Sequence, residues 1–351
     1  MAIPTLVLVG GFLGAGKTTL LVRAARELQS LGLRPALILN DQAAGLVDTG
    51  FAQAGGLLAE EVAGGCFCCR FSELINAAGR LSAHAPDVIL AEPVGSCIDL
   101  SATILQPLKQ DFGHRFRLAP FTVLADGALH DLSPGAAYLF RNQVAEADIL
   151  CRGKSDEGPS RLPWPIDFHL SARTGEGVWP WLRAVLDPAG QAGTRLLPAV
   201  DYGRYAEAEA ALGWLNYHAS LHLNPALNPP MVVGPLLEEL DAELTRAGAR
   251  IAHLKVLDRA ATGFIKASLC RNGEDPRIDG DLTASAATAH ELTLNLRAEA
   301  DPVLLRSIVA GAVARLPGRR GNETLEAFRP SPPSPERILR TLTTSPRPPT
   351  T

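Results

Sequence analysis

Eight consecutive residues near the start of the chain have the types and spacing that hold phosphate groups. Residues 11–18 read Gly-Phe-Leu-Gly-Ala-Gly-Lys-Thr and fit the pattern Gly-x-x-x-x-Gly-Lys-Ser/Thr. In such a loop, backbone N–H groups surround phosphate oxygens, the lysine bridges the outer phosphates and the hydroxyl ligates Mg²⁺. The neighbouring threonine adds a contact to the inner phosphate. We predict a nucleotide site built from Gly11, Gly14, Ala15, Gly16, Lys17, Thr18 and Thr19.

A second group of residues could hold the magnesium ion and contact the terminal phosphate. The apolar run 87–91 reads as a buried strand and ends in Glu92-Pro-Val-Gly95. A carboxylate at the end of such a strand can bind Mg²⁺ or its water, and the N–H of Gly95 can contact the terminal phosphate. We therefore predict Thr18 and Glu92 as magnesium ligands, and Lys17 and Glu92 as catalytic residues.

A third group could recognise the base. Gly-Lys-Ser-Asp at 153–156 directly follows a predicted strand, and Ser171-Ala172-Arg173 ends the next strand. A carboxylate has two acceptor oxygens, which match the two neighbouring donors of guanine, whereas adenine has an acceptor at that edge. We predict that Lys154, Asp156, Ser171 and Ala172 bind guanine, so that the substrate is GTP.

Three of the six cysteines lie within four residues, at Cys66, Cys68 and Cys69. Cysteines this close in sequence pair poorly with one another, and near a helix N-terminus they ionise readily. They offer two or three sulfurs to Zn²⁺ or another transition metal, with a further ligand from elsewhere or from water. Cys97 could approach this cluster. Buried structural cysteines and a redox switch are the alternatives.

These residues need a scaffold that alternates strands and helices. We predict strands near 3–9, 34–40, 87–92, 118–125, 147–151 and 166–170, with helices beginning near residues 17, 71, 98, 135 and 176. This alternation is typical of an α/β fold with a mostly parallel sheet and helices on both faces. Residues 41–65 have weak periodicity and are expected to form a mobile loop.

A smaller α+β domain is expected to follow. A helical pattern at 236–247 precedes alternating runs at 250–257, 263–269 and 290–297 and a helix at 302–316. One face of that sheet would be open, solvated or available to a partner, and would show Lys255, Lys266 and Asn295. The predicted boundaries are 1–190 for the GTPase domain, 191–230 for a connector with an amphipathic helix at 205–223, 231–328 for the small domain and 329–351 for a disordered tail rich in Pro, Ser and Thr.

Composition limits the partners. Of the 351 residues, 33 are Lys or Arg and 37 are Asp or Glu, so the formal charge is 33 − 37 = −4. We expect no nucleic-acid partner, because there is no basic stripe, and no membrane span, because no apolar run is long enough. Clustered thiols and no recognisable export signal favour the reducing cytoplasm.

The residues resemble those of CobW-type metallochaperone GTPases, relatives of the GTPases that insert nickel into hydrogenase and urease. The resemblance lies in the loop at 10–19, the Gly-Cys-Phe-Cys-Cys motif at 65–69, the run 92–95, and the run 143–148 that leads to Lys154 and Asp156. It implies slow GTP hydrolysis coupled to metal binding or transfer at the cysteines. A client metalloprotein or cofactor enzyme is the expected partner; a homodimer is one option, and the sequence does not fix the oligomeric state.

The chain departs from this pattern in three places. Gly153 replaces the usual Asn of the guanine motif. Residues 40–44 read Asn-Asp-Gln-Ala-Ala where the family usually has Asn-Glu-Phe-Gly-Glu, so Asp41 replaces the first carboxylate, as a third catalytic residue, and Ala44 lacks the second. A His-rich stretch is absent, which argues against metal storage.

Four functions remain open from the sequence. The leading one is a GTP-driven chaperone for a transition metal such as zinc or cobalt. The second is a GTPase that assembles or reactivates a cofactor enzyme, such as a corrinoid protein. A small-molecule kinase and a thiol redox sensor are weaker alternatives, and the identity of the metal and client is not contained in the sequence.

Overall fold

The computed structural model describes residues 3–126, 133–158 and 162–340. The chain divides into two compact units. The first comprises Met1–Ala44, Gly56–Ala208 and Pro332–Thr351, and the second comprises Gly45–Gly55 and Glu209–Ser331. No helix in the described ranges is both long enough and apolar enough to cross a bilayer.

The first unit contains a parallel sheet of eight strands within the described residues. Its strands are β1 (Thr5–Gly10), β2 (Pro35–Asn40), β3 (Ala59–Val62), β4 (Val88–Glu92), β5 (Arg117–Leu118), β6 (Thr122–Ala125), β7 (Ile149–Arg152) and β8 (Phe168–His169). Their order is β3-β2-β4-β1-β6-β7-β8, and β5 pairs with β1. β1 and β2 are buried along their whole length, as expected for parallel strands covered on both faces. The predicted α/β class is confirmed.

Helices connect these strands and cover the sheet. They are α1 (Lys17–Ser30), α3 (Phe71–Ser82), α4 (Gln106–Phe112), α5 (Pro134–Ala145), α6 (Val178–Leu186) and α7 (Tyr202–Ala210); the short helix α2 (Val47–Ala54) belongs to the second unit. Each crossover returns the chain to the same edge, so the carboxyl ends of the strands collect the polar loops. This edge carries the residues predicted to do chemistry.

The second unit is an antiparallel sheet with two long helices. The strands are β9 (Gly213–Leu227), β10 (Arg250–Ala260), β11 (Gly263–Leu269), β12 (Arg277–Gly280), β13 (Ala287–Glu299) and β14 (Arg319–Phe328), in the order β12-β11-β10-β13-β9-β14. The helices α8 (Pro229–Arg246) and α9 (Pro302–Ala314) pack on one sheet face, where alternate leucines of the strands form the core.

The other face of this sheet is not open, contrary to our expectation. α2 packs on it: Asp48 forms ion pairs with Lys255 and, at 3.7 Å, with Lys266. The ammonium group of Lys266 also lies 4.1 Å from the ring centroid of Phe51, and the backbone N–H of Val47 donates to Asn295 at 2.8 Å. The predicted loop 41–65 therefore contains a helix and a strand, because polar groups distant in sequence pair with it.

Two further expectations were wrong in detail. The predicted helix 205–223 ends at residue 210, and β9 begins at residue 213, because β9 pairs with β13 and β14 over most of its length. The predicted tail begins after β14, but residues 334–340 hydrogen-bond to the first unit. Residues 341–351 lie outside the described residues. The predicted domain boundaries stay predictions.

A buried carboxyl group stabilises the start of the helical segment that follows β4. Glu146, at the end of α5, is fully buried and accepts a hydrogen bond from the backbone N–H of Ser101 at 2.9 Å. Burial, reinforced by the nearby Asp99 carboxylate, raises the pKa of Glu146 from 4.5 to about 8. Glu146 is therefore protonated at neutral pH.

Candidate functional site: a phosphate loop and a cysteine cluster

The predicted phosphate loop joins β1 to α1, and its glycines have backbone angles that disfavour other residues. The φ angles are 135° at Gly11, 77° at Gly14 and 93° at Gly16. A Cβ atom on Gly11 would lie 2.2 Å from the carbonyl oxygen of Leu124, so a side chain cannot be placed there. Gly16 is the N-cap of α1, so the free N–H groups of that helix begin at this loop. Such N–H groups and the helix dipole favour an anion.

Lys17, Thr18 and Glu92 meet beside this loop. The Lys17 ammonium nitrogen lies 3.3 Å from the carbonyl oxygen of Phe12 and 3.6 Å from Glu92 Oε1. The Thr18 hydroxyl donates to Glu92 Oε2 at 2.8 Å. A hydroxyl and a carboxylate oxygen so close together are the hard ligands that Mg²⁺ prefers, and the set therefore fits that ion.

Gly95 lies against the phosphate loop. A Cβ atom on Gly95 would be 2.8 Å from Leu13 Cδ2 and 3.1 Å from the Leu13 backbone nitrogen, so a side chain would push the two loops apart. The Gln143 amide nitrogen donates to the carbonyl oxygens of Gly95 at 2.9 Å and Cys97 at 3.0 Å. Gln143 thus fixes the loop that follows β4.

The residues predicted to bind the base come from the ends of β7 and β8. A Cβ atom on Gly153 would lie 3.1 Å from the Ala15 carbonyl oxygen, which brings this loop against the phosphate loop. Lys154 has a left-handed backbone, with φ at 54°, and its ammonium nitrogen lies 3.1 Å from Asp126 Oδ2. Asp126, at the end of β6, had no sequence signal of its own.

Asp156 is held as a carboxylate. It forms an ion pair with Arg173. Burial alone would raise the pKa of Asp156, but hydrogen bonds from Ser171 and Arg173 outweigh that effect and lower the pKa below its ordinary value. Ser171 is buried and Ala172 half-buried beside it. An ionised acceptor is what recognition of guanine N–H groups requires.

Two further residues of the predicted site, Thr19 and Asp41, lie in the segments that follow β1 and β2. Thr19 is the third residue of α1 and is half-buried. Asp41 follows β2 directly, is buried, and accepts a hydrogen bond from the Gln42 backbone N–H at 2.6 Å. Its carboxylate therefore has at least one fixed oxygen.

The three clustered cysteines form a compact sulfur site. The sulfur–sulfur distances are 2.7 Å between Cys66 and Cys68, 3.3 Å between Cys66 and Cys69, and 3.7 Å between Cys68 and Cys69. Cys66 and Cys68 are buried and Cys69 is partly exposed. Among the described residues, this is the one group of three or more His, Cys, Asp or Glu side chains close enough to share an ion.

Asn40 anchors the cysteine loop to the end of β2. Its amide nitrogen donates to the carbonyl oxygens of Val62 and Gly65, and its amide oxygen accepts from the Phe67 N–H, all at 2.8 Å. All three bonds are buried. One side chain thus fixes the loop on both sides of Cys66.

The pKa values of the three clustered thiols are shifted in different directions. Hydrogen bonds from Cys68 and Cys69 lower the pKa of Cys66 well below the ordinary value of a thiol. Hydrogen bonding to Cys66 raises the pKa of Cys68 well above the ordinary value and raises the pKa of Cys69 to about 11. Of the three thiols, Cys66 is therefore the one that loses its proton most readily.

Residues 334–340, which we call the C-terminal segment, border the cysteine site. The Ser334 N–H donates to Cys69 Sγ at 3.1 Å, and the Glu336 N–H donates to the Cys68 carbonyl oxygen at 2.9 Å. The Glu336 carboxylate accepts from the backbone N–H and hydroxyl of Ser72, at 3.0 and 2.7 Å, in the first turn of α3. The tail expected to be disordered thus supplies a hydrogen bond to a candidate metal ligand.

The contacts of Asn40 and of residues 334–340 could not be predicted from the sequence, because their partners are distant along the chain. Asn40 opens the segment that resembles a switch region, and its three partners lie 22 to 27 residues away. Residues 334–340 belong to a composition typical of disordered chains, and no local pattern links Ser334 to Cys69.

A sequence model of the CobW/HypB/UreG nucleotide-binding domain matches residues 5–162. No curated protein matches the chain in sequence. Similar solved structures include Zn(II)-bound YjiA GTPase from E. coli, 15% identical, covering 90% of this chain and 99% of that one with a TM-score of 0.37. Nickel-bound HypB from Helicobacter pylori is 16% identical and covers 51% of this chain and 83% of that one, with a TM-score of 0.37.

Hydrogenase maturation factor HypB from Archaeoglobus fulgidus is 18% identical and covers 52% of this chain and 91% of that one, with a TM-score of 0.36. The match over residues 5–162 spans the phosphate loop, Glu92, Asp156 and the cysteine cluster. Residues 5–162 therefore match the CobW/HypB/UreG nucleotide-binding domain, and this match supports GTP hydrolysis at the site.

Proposed function

We propose that this GTPase couples GTP binding and hydrolysis to the binding and transfer of a transition metal at Cys66, Cys68 and Cys69. The observation that supports this most is the cluster itself, in which three thiols lie within 3.7 Å of one another. Thiolates in this arrangement suit zinc or a cobalt-like ion. The lowered pKa of Cys66 supports a cation site at that point, because a thiolate forms there more readily.

The nucleotide chemistry follows from the phosphate loop. The N–H groups at the start of α1 and the Lys17 ammonium group would hold the phosphates and neutralise charge that develops on them. Thr18 and Glu92 would hold Mg²⁺, which supplies a further positive charge to the phosphate oxygens. The N–H of Gly95 and the carboxylate of Asp41 are proposed to contact the terminal phosphate and its attacking water.

We propose further that Asp156 selects guanine, with Lys154 packed beside the base and Ser171 and Ala172 behind it. The lowered pKa of Asp156 supports this, because an ionised carboxylate can accept from both guanine donors. Gly153 lacks the amide that the family usually places there. The preference for GTP over ATP therefore depends on Asp156.

Coupling requires that the metal and the nucleotide change each other's affinity by the same factor. The cysteine loop is fixed to β2 by Asn40, and β2 pairs with β4, which carries Glu92. A nucleotide-dependent change in the loop after β4 could therefore change the arrangement of the sulfurs. A coupling of about 1–3 kcal/mol is the usual range.

The test is an anaerobic titration of the full chain with Zn²⁺, with and without a non-hydrolysable GTP analogue. The variant with Cys66, Cys68 and Cys69 changed to Ser should lose stoichiometric metal, keep GTP binding and lose the metal effect on GTP affinity. Cys270→Ser, in the second unit, is the matched control and should behave like the unchanged chain. One-to-one metal binding in the triple variant, or no mutual effect in the unchanged chain, would refute the proposal.

Transfer of a metal needs a recipient, which we propose is a client metalloprotein or a cofactor enzyme; a corrinoid enzyme is the alternative client. The cytoplasm is the proposed compartment, because its reducing conditions keep the thiols free of disulfides. A homodimer is a further proposal, and sedimentation of the full chain with and without nucleotide tests it.

A further inference from the structure

A fourth cysteine contacts the sulfur cluster from a different loop. Cys97 is buried, with 1% of its surface exposed, and its thiol hydrogen-bonds to those of Cys66 and Cys68. It lies in the loop after β4, five residues beyond Glu92 and two beyond Gly95. A sulfur from a second loop therefore contacts two of the three clustered sulfurs.

We propose that Cys97 is the fourth sulfur ligand of the metal site, an inference that rests on the proposed metal-binding function. Zn²⁺ binds four sulfurs tetrahedrally at about 2.3 Å, which places the sulfurs about 3.8 Å apart. The three sulfur–sulfur distances in the cluster are 2.7, 3.3 and 3.7 Å, so a bound ion requires the sulfurs to separate by only about 1 Å or less. Cys97 already contacts two of them.

The backbone around Cys97 is well defined. Its N–H donates to the Val94 carbonyl oxygen at 3.0 Å, and its own carbonyl oxygen accepts from the Gln143 amide at 3.0 Å. The same amide donates to the carbonyl oxygen of Gly95. A side chain held in this way can occupy one position of a coordination shell with little loss of entropy.

This placement gives the metal site a direct connection to the nucleotide. Gly95 contacts the phosphate loop at Leu13, and Gln143 ties Gly95 to Cys97 through one amide group. A displacement of Gly95 by the terminal phosphate is therefore transmitted to a metal ligand two residues away. Cys97 is the ligand through which nucleotide state changes the sulfur coordination.

The experiment loads the nucleotide-free full chain with one equivalent of Zn²⁺ or Co²⁺ without oxygen. X-ray absorption counts the sulfurs around zinc, and the thiolate-to-cobalt charge-transfer band gives an independent measure. The unchanged chain should show four sulfurs and Cys97→Ser three. The metal affinity of Cys97→Ser should fall at least tenfold, since even outer-shell changes cost about 10- to 100-fold. Cys151→Ser, an equally buried position in β7, is the matched control and should keep four sulfurs.

The outcomes separate this inference from the proposed function. Three sulfurs in both the unchanged chain and Cys97→Ser would refute the role of Cys97 while leaving a metal site at the clustered cysteines. Metal bound without any of the three clustered cysteines would refute the proposed function itself. GTP-analogue binding shows whether Cys97→Ser is folded, and Cys97→Ala is a second variant in case it is not. If both variants unfold, four sulfurs in the unchanged chain would support the proposal and three would refute it.

In the folded variants, a GTP analogue should alter the cobalt spectrum of the unchanged chain and of Cys151→Ser. The same analogue should leave the spectrum of Cys97→Ser unaltered, although GTP still binds. A nucleotide-induced change of equal size in Cys97→Ser would refute the proposed connection through this residue.

Discussion

Replacing Asn40 should release the cysteine loop and weaken metal binding. The Asn40 amide group makes three buried hydrogen bonds of 2.8 Å, to the backbone of Val62, Gly65 and Phe67. A typical buried hydrogen bond contributes about 1 kcal/mol net, so Asn40→Ala removes about 3 kcal/mol from the ordered loop. If the loop becomes disordered, metal binding must also order it. The metal affinity should then fall about 100-fold, because 1.4 kcal/mol corresponds to a factor of ten.

A second substitution, Asn40→Asp, tests whether hydrogen bonding or side-chain size is responsible for the effect. The carboxylate can still accept from the Phe67 N–H, but it faces the carbonyl oxygens of Val62 and Gly65 with an acceptor where a donor is needed. We therefore expect Asn40→Asp to be at least as harmful as Asn40→Ala at neutral pH. The change keeps the size of the side chain, so the comparison isolates hydrogen bonding from packing.

The assay is competition for Zn²⁺ with a chromophoric chelator, together with chemical denaturation. Asn142→Ala, which removes one side-chain hydrogen bond in α5, is the control and should leave metal affinity unchanged. GTP-analogue binding reports on the rest of the unit. Unchanged metal affinity and unchanged unfolding free energy in Asn40→Ala would refute the idea that this side chain positions the thiols.

Three more predictions concern the base, the C-terminal segment and pH. Asp156→Asn should move the preference from GTP toward xanthine nucleotides, because each unpaired buried group costs about 1–3 kcal/mol; unchanged GTP affinity in a competition assay would contradict this. Ser334→Pro removes the N–H that donates to Cys69, whereas Ser334→Ala keeps it, so metal release to a chelator should be about fivefold faster in the first variant alone. The pKa of Glu146, 4.5 in its ordinary state, is raised to about 8 in the folded protein, so folding takes up a proton between these values and the unfolding free energy falls as pH rises across them. Glu146→Gln should lose up to about 1.4 kcal/mol per pH unit of this slope in denaturation measured from pH 5 to 8, and an unchanged slope would contradict the assignment.

The phosphate loop could be predicted from sequence because its chemistry is local. Glycines with special backbone angles, the lysine and the threonine are contiguous, and they act on the same ligand. The parallel fold could also be predicted, since buried strands and helices alternate with a clear period. The order of the strands was not predicted and comes from the structure.

The contacts that shape the cysteine site could not be predicted in the same way. Asn40 acts through backbone groups up to 27 residues away, and Ser334 through a sulfur 265 residues away. The helix predicted over 205–223 extends into β9, and pairing with β13 and β14 makes that part a strand. α2 was missed because its stability comes from a distant sheet, through Asp48 and Lys255.

The order of the strands supports the proposed coupling between a metal site at the cysteines and the nucleotide site. β3 ends beside the cysteine loop, β2 ends at Asn40 and Asp41, β4 ends at Glu92, and β1 ends at the phosphate loop; these are the first four strands of the sheet in order. Neighbouring strands lie about 4.8 Å apart, so the ends of β3 and β1 are separated by three such spacings, about 14 Å. Loops that leave adjacent parallel strands emerge at the same edge, so residues of β4's loop can contact both neighbours. Cys97 and Gly95 occupy that middle loop, so the proposed metal ligand and the proposed phosphate contact lie two residues apart in one segment.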